Sequence, residues 1–300
     1  MGDAVDKVVV KKARTVSRRT KAGIAVVATC LAAGGIWYHM AGRSGPWPET
    51  VLDLGNSVQM RLVLIPAGKF MMGSPATEVG RVSDEGPQHD VTISKPFYMG
   101  VFEVTQEQYE QVMGVNPSRF KGAKNPVEMV SWEEAVEFCK KLSARTGKKV
   151  MLPTEAQWEY ACRAGTTTAF HTGDALKPGQ ANADFPSNPG LWDRIMAWVG
   201  MSSAQKIIQT TPAGSFPPNG FGLYDMHGNI WEWCSDWYGE DYYANSPKTD
   251  PRGPDSGSYR VLRGGGWYDG PQICRSADRG RSSPDLRDHS IGFRVAVDLK

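Results

Sequence analysis

Asp225 and Glu232, two carboxylates seven residues apart, are the first groups in this chain whose type and spacing could do chemistry. They lie in the stretch Ser215–Tyr238, SFPPNGFGLYDMHGNIWEWCSDWY, with a turn at His227-Gly228-Asn229 between them. Ile230–Cys234 alternates like a strand, so Trp231 and Trp233 share one face while Ile230, Glu232 and Cys234 share the other. The tryptophan face predicts burial in a core, which leaves Glu232 pointing away from it. Two carboxylates and the intervening carbonyls can then close on one small volume, the oxygen-rich cage that a hard cation such as calcium requires. The plainer reading satisfies both acids with turn amides or water.

Thiols come next. Cys30, Cys139, Cys162, Cys234 and Cys274 form no CxxC pair, and no histidine stands at zinc-ligand spacing, which argues against a structural zinc site. Cys274 is followed by Arg275, with Arg279 close behind, and guanidinium groups can lower a thiol's pKa and make it reactive. A disulfide or a buried thiol is the alternative, and the four cysteines after Cys30 allow three complete pairings among which spacing does not choose. GxxxxGK[ST], HExxH and GxSxG motifs are absent, so the motif-borne chemistry of P-loop enzymes, zinc proteases and α/β-hydrolases is not indicated. Gly264-Gly265-Gly266 precedes Trp267 without a capped helix behind it, which suits a tight backbone passage better than a phosphate cradle.

The elements that must position these groups are short and mixed. Capping boxes at Thr105/Gln108, Ser131/Glu134 and Thr154/Gln157 predict three helices, stopped at Gly114, Gly147 and Gly165. Strand-like runs are Val58–Ile65, Lys69–Met72, Asp90–Ser94, Phe97–Val104, Tyr259–Arg263 and Ile291–Val297. Residues 166–214 are loop-like, rich in Gly, Pro, Asn, Asp and Thr, and loops that long serve as a surface or are stabilised by ions. The expectation is an α+β fold with more coil than usual.

The chain's net charge of +2 hides an asymmetry. Its basic excess sits in residues 1–21, a basic cytoplasmic tail, and the remainder is slightly acidic, which argues against nucleic acid as a partner. Residues 22–41, AGIAVVATCLAAGGIWYHMA, carry no Asp, Glu, Lys or Arg and approach the length of a membrane span, with Trp37 and Tyr38 where an interfacial belt would lie. A signal anchor with the N-terminus inside, a cleaved signal peptide and a twin-arginine signal at Arg18-Arg19 compete here. All three place the main domain in the periplasm or outside the cell. Residues 42–53 read as a linker and 54–300 as the folded domain.

Several short pieces stand in order along the chain: Ile65-Pro66-Ala67-Gly68, Met72-Gly73-Ser74, Glu103-Val104-Thr105, Val130-Ser131-Trp132 and Leu152-Pro153-Thr154-Glu155-Ala156-Gln157-Trp158-Glu159-Tyr160. Gly222-Leu223-Tyr224-Asp225, Gly228-Asn229, Trp231-Glu232-Trp233, Arg263-Gly264-Gly265 and Gly292-Phe293-Arg294 complete the set. In this ordered set the chain resembles the formylglycine-generating enzyme, or sulfatase-modifying factor, family. The resemblance implies one domain with a variant C-type lectin fold, poor in regular structure and holding calcium. It implies one calcium site at the side chains of Asp225 and Glu232 with the carbonyls of Gly228 and Ile230. A second would begin at Asn182 and the carbonyl of Ala183, although its Asp-Gly-Phe partner has no counterpart in 191–214.

Members of that family hold copper(I) with two cysteines five residues apart, soon after Arg-Gly-Gly-Ser, and thiolates suit that soft ion. Here Gly266 replaces the serine, Asp269 falls at the first cysteine position and Cys274 at the second. A carboxylate is too hard to stand in for the missing sulfur. Counting back from Gly292-Phe293-Arg294 puts Ser276 where the family has a structural cysteine, whose partner matches Cys162. The resemblance thereby suggests a Cys162–Cys274 bridge. The expected function is a membrane-tethered, calcium-stabilised scaffold presenting the loop 268–290 to a protein or small-molecule ligand. The alternative is an oxidase with Cys274 as catalytic residue and copper as cofactor, acting on a sulfatase cysteine or serine or on an exported small molecule.

Overall fold

A computed structural model describes residues 47–185 and 208–299, so the span 22–41 and the tail before it lie outside the described residues. Among the described residues no helix is long and apolar enough to cross a membrane. All three capping boxes form. Helix α1, Gln106–Met113, starts where Thr105 accepts from the Gln108 amide and Gln108 accepts from the Thr105 amide, and Gly114 ends it in the left-handed conformation. Helix α2, Trp132–Thr146, runs from Ser131 to Gly147 in the same manner. Helix α3, Glu155–Arg163, stops one residue before the expected glycine, because Ala164 itself takes the left-handed cap at φ 46°.

Eleven strands build three sheets among the described residues: β1 Glu49–Asp53, β2 Gln59–Ile65, β3 Gly68–Met72, β4 His89–Ile93, β5 Phe97–Gly100, β6 Val150–Met151, β7 Trp231–Trp237, β8 Arg260–Arg263, β9 Gly280–Ser282, β10 Ile291–Gly292 and β11 Ala296–Asp298. The larger sheet has the order β1-β2-β5-β11-β6, the second β10-β7-β8-β9, and β3 pairs with β4 alone. Strand β1 corrects the reading of 42–53 as linker: it pairs antiparallel with β2 from Glu49↔Val63 to Asp53↔Gln59. Only Leu52 of its five residues is buried, so it carries no alternating apolar signal.

The run Ile291–Val297, read as one strand, is two. Strand β10 lies parallel to β7 in one sheet, and β11 lies antiparallel to β5 and β6 in another. The chain therefore crosses between sheets at Phe293-Arg294-Val295. At that crossing Gly292 lies so close to Val127 that an added Cβ would meet its carbonyl at 2.1 Å, so only glycine fits. Arg294 ties the sheets together, its guanidinium bonding Glu232 on β7 and the carbonyl of Gly100 at the end of β5.

Three apolar clusters fill the interior of the described residues, the smallest around Phe170 and Cys274. One joins α1 and α2 to the crossing, with Tyr109 stacked on Phe138 at 5.6 Å and Phe293 edge-on to both. Another surrounds α3 and contains Trp158, Leu223, Cys234 and Ala296. Buried arginines answer the carboxylates on α3: Arg263 bonds Glu159 at 2.5 Å and Arg279 bonds Glu155 at 2.7 Å.

Candidate functional site

Asp225 is buried in a left-handed turn position, φ 57°. Its Oδ2 accepts from the Gly214 amide at 2.6 Å, while Oδ1 is buried with no partner. Glu103, fully buried between β5 and α1, has the same asymmetry: Oε2 accepts from Asn229 Nδ2 at 2.9 Å and Oε1 has no partner. Burial pushes the Asp225 carboxyl up to about 6. Burial, with Asp225 and Glu232 nearby, pushes Glu103 well above the usual carboxylate range. Orphaned carboxylate oxygens in a dry site are expensive unless a proton or a partner satisfies them, and a hard cation would have the chemistry of such a partner.

Glu232 plays a different part from the one the sequence suggested. Its carboxylate is already engaged, by Arg294 at 2.7 and 2.6 Å and by Trp158 Nε1 at 2.7 Å, so it is an ion-pair partner whatever else it holds. Sequence reasoning missed Glu103, which only the fold brings to Asp225. The available signal was an acid in the apolar run Phe102-Glu103-Val104 directly before a helix cap. Among the described residues no three His, Cys, Asp or Glu side chains could hold a metal together. A cation here would thus complete its shell with backbone carbonyls, for which Gly228 and Ile230 are the candidates. Gly228 is obligatory in any case, since an added Cβ would meet the Asn182 carbonyl at 2.2 Å.

Asn229 links this place to the second expected site. Its Oδ1 accepts from Asn182 Nδ2 at 3.2 Å and from the Thr211 amide at 3.0 Å, while its Nδ2 holds Glu103. Asn182 Oδ1 is buried and unpartnered. Ala183 follows it in the chain, and most of the stretch 191–214 lies outside the described residues.

These shifts fix a sign. A carboxyl whose folded pKa is raised binds its proton more tightly in the folded state, so its contribution is complete below the ordinary value near 4 and is lost as pH rises through about 6. Metal-free protein should therefore gain stability from Asp225 and Glu103 as pH falls from 7 toward 4. Calcium, which needs the ionised forms, should stabilise most at neutral pH. Scanning calorimetry with calcium at about 100 times its Kd should show Tm raised by about 5–10 °C at pH 7.5 and far less at pH 5. Glu103→Gln/Asp225→Asn should abolish that increment; a full shift surviving in the double variant would remove the cation from this place.

The thiols are a second correction. Cys139, Cys162, Cys234 and Cys274 are free and buried. The Cys162–Cys274 bridge is absent because the two side chains face different neighbours. Cys162 Sγ lies 3.6 Å from Ser276 Oγ, whereas Cys274 packs against Gly265, where an added Cβ would come within 2.6 Å of its sulfur. Nor do the arginines activate Cys274. Arg275 bonds Glu85 and Glu78, and Arg279 bonds Glu155. Burial, with Asp269 and Asp278 nearby, drives the Cys274 thiol well up, away from the thiolate.

Asp269, at the other expected position, accepts from Trp231 Nε1 and from the Gly266 amide, both at 2.9 Å. It faces a group of partly exposed aromatic rings at Trp231, Trp267, Tyr268 and His289. Trp231 thus lies at this face, only half-buried, while Trp233 alone is fully buried in the core.

Residues 55–299 match the model of the sulfatase-modifying factor enzyme 1-like domain. The chain is 30% identical to the formylglycine-generating enzyme of Streptomyces coelicolor, over 85% of this chain and 96% of that one. It is 33% identical to the serine/threonine-protein kinase pkn1 of Chlamydia caviae, over 80% of this chain but only 38% of that longer protein. Among solved structures, PvdO from Pseudomonas aeruginosa superposes with a TM-score of 0.68 at 32% identity, covering 83% of this chain and 98% of that one.

Proposed function

Because the chain belongs to the sulfatase-modifying factor (formylglycine-generating enzyme) family, we propose that it is a divergent member that binds rather than oxidises. In this reading it is a membrane-anchored, extracytoplasmic domain, stabilised by calcium at Asp225 and Glu103, that presents the loop 268–290 to a ligand. The observation that carries the reading is the state of the two positions that would hold copper: Asp269 is a carboxylate, and Cys274 is a buried thiol driven away from ionisation. Copper(I) is held by soft thiolates, and a carboxylate with one dry thiol does not supply such a pair. The residues present do not fit that metal, so no oxidative step is assigned to them. The anchor rests on the uncharged run 22–41 and its basic flank.

The oxidase reading is kept as the alternative because the Streptomyces coelicolor relative, matched over most of both chains, carries that activity in its name. Purified protein with copper(I), oxygen and a sulfatase-type cysteine peptide decides between them. Mass spectrometry should show no aldehyde. Aldehyde that disappears in Cys274→Ala would establish the oxidase and end the scaffold reading.

A further inference from the structure

The face around Gly266 combines features that bear on what the loop 268–290 would hold. Gly266 is closely framed by Ser290, Asp269 and Trp231: a Cβ added there would lie 3.3–3.4 Å from all three, tighter than ordinary contact, so glycine lets these groups gather against the backbone. Trp231 and Asp269 are joined there by their hydrogen bond. Beside them Trp267 meets Tyr268 edge-on at 5.2 Å and His289 at 5.5 Å, and Tyr268 lies nearly parallel to His289. Tyr268 is 44% exposed. Phe120 closes the far side against Trp267 and His289.

The charges around these rings are mostly negative. Asp288 bonds His289, the Ser290 amide and the Ser290 hydroxyl, which contacts the Tyr268 hydroxyl. Glu128 is fully buried, with Oε1 on the Phe120 amide and Oε2 without a partner. No Lys or Arg among the described residues forms an ion pair with Asp269, Asp288 or Glu128. Of the nearby cations, Arg119 lies over the Phe120 ring at 5.5 Å, and Lys121 bonds the Asn116 carbonyl while acting on Glu128 only at a distance. Aromatic faces backed by unneutralised carboxylates attract positive charge, and desolvation strengthens the attraction.

We propose that this face, from Trp231 and Gly266 to Tyr268 and His289, binds an organic cation of the alkylammonium class, either a free small molecule or a lysine-type side chain. The inference rests on the scaffold reading and names the class of its ligand. Asp269 and Asp288 supply the charge, and Trp231, Trp267 and Tyr268 supply the ring faces.

The test measures affinity by calorimetry for N-acetyl-lysine methylamide, its trimethylated form, tetramethylammonium and the neutral N-acetyl-norleucine methylamide. At least one cation should bind about tenfold tighter than the neutral isostere, the worth of one partly desolvated cation–π contact. Preference for the lysine probes over tetramethylammonium points to a peptide source, and the reverse to a free small molecule. Asp269→Asn, which keeps an acceptor for Trp231 and Gly266, should lose about tenfold, as should Tyr268→Ala. Should Asp269→Asn fail to fold, Tyr268→Ala carries the test, because its side chain is largely solvent-facing. Cations that bind no better than norleucine, or binding unchanged in both variants, would overturn the proposal. The aldehyde assay reports separately: no aldehyde and no cation preference defeats only this inference, whereas aldehyde with cation preference defeats only the scaffold reading.

Discussion

Arg294→Met will destabilise the protein by about 3–5 kcal/mol, because it leaves Glu232 charged and buried without its partner. Arg294 and Glu232 are both essentially inaccessible, and the guanidinium makes two bonds to the carboxylate, at 2.7 and 2.6 Å. The same guanidinium also reaches the carbonyls of Gly100 and Tyr224, at 3.1 and 3.0 Å, where the chain passes from one sheet to the other. Loss of Arg294 thus strikes both the pair and the seam. Urea midpoints at constant m measure the effect. Adding Glu232→Gln to Arg294→Met should recover part of the loss, since the stranded charge goes with it. An Arg294→Met loss under about 1 kcal/mol would mean that the pair is hydrated, contrary to the packing described above.

Ser276→Cys will move stability the other way, by about 2–4 kcal/mol under oxidising conditions. Cys162 Sγ faces Ser276 Oγ at 3.6 Å in a buried site, and small side-chain rotations bring two sulfurs from there to the bonded distance of about 2.05 Å. The bridge would close a loop of roughly 110 residues and so restrict the unfolded chain strongly. A reducing agent should erase the gain, and Cys274→Ser in the same background should leave it intact. A melting temperature indifferent to reductant, or a gain that vanishes with Cys274→Ser, would show that Cys162 faces something other than Ser276.

The contrast between what was legible and what was not follows the range of the interactions. Helices were readable because a capping box is a local bargain between residues three apart, and Thr105, Ser131 and Thr154 each close one. Strand β1 escaped because only Leu52 turns inward, so no periodicity marks it. The break at Phe293–Val295 escaped for a different reason. Its cause is the partnering of β10 and β11 with different sheets, which a run of this composition does not show. In the candidate site, Asp225 and the obligatory Gly228 were readable from the turn around them. The ion pair of Glu232 was not readable, because alternation gives the face a side chain occupies but not the arginine that arrives there from 62 positions away. Glu103 was missed for the same reason. One thiol of the expected bridge, Cys274, lies two positions from the residue that meets Cys162, since counting along a loop of altered length cannot say which residue turns inward; Ser276, counted from the far end, is that residue.

The proposal that this chain binds rather than oxidises requires that Asp269 and Cys274 hold no copper(I). Its most direct test is a competition titration of the reduced protein, with Cys30→Ser to remove the thiol outside the domain, against a chromogenic copper(I) chelator. The account predicts that the chelator keeps the metal, with no tight site on the native protein. One copper(I) per chain, withdrawn from the chelator and released by Cys274→Ala, would contradict it.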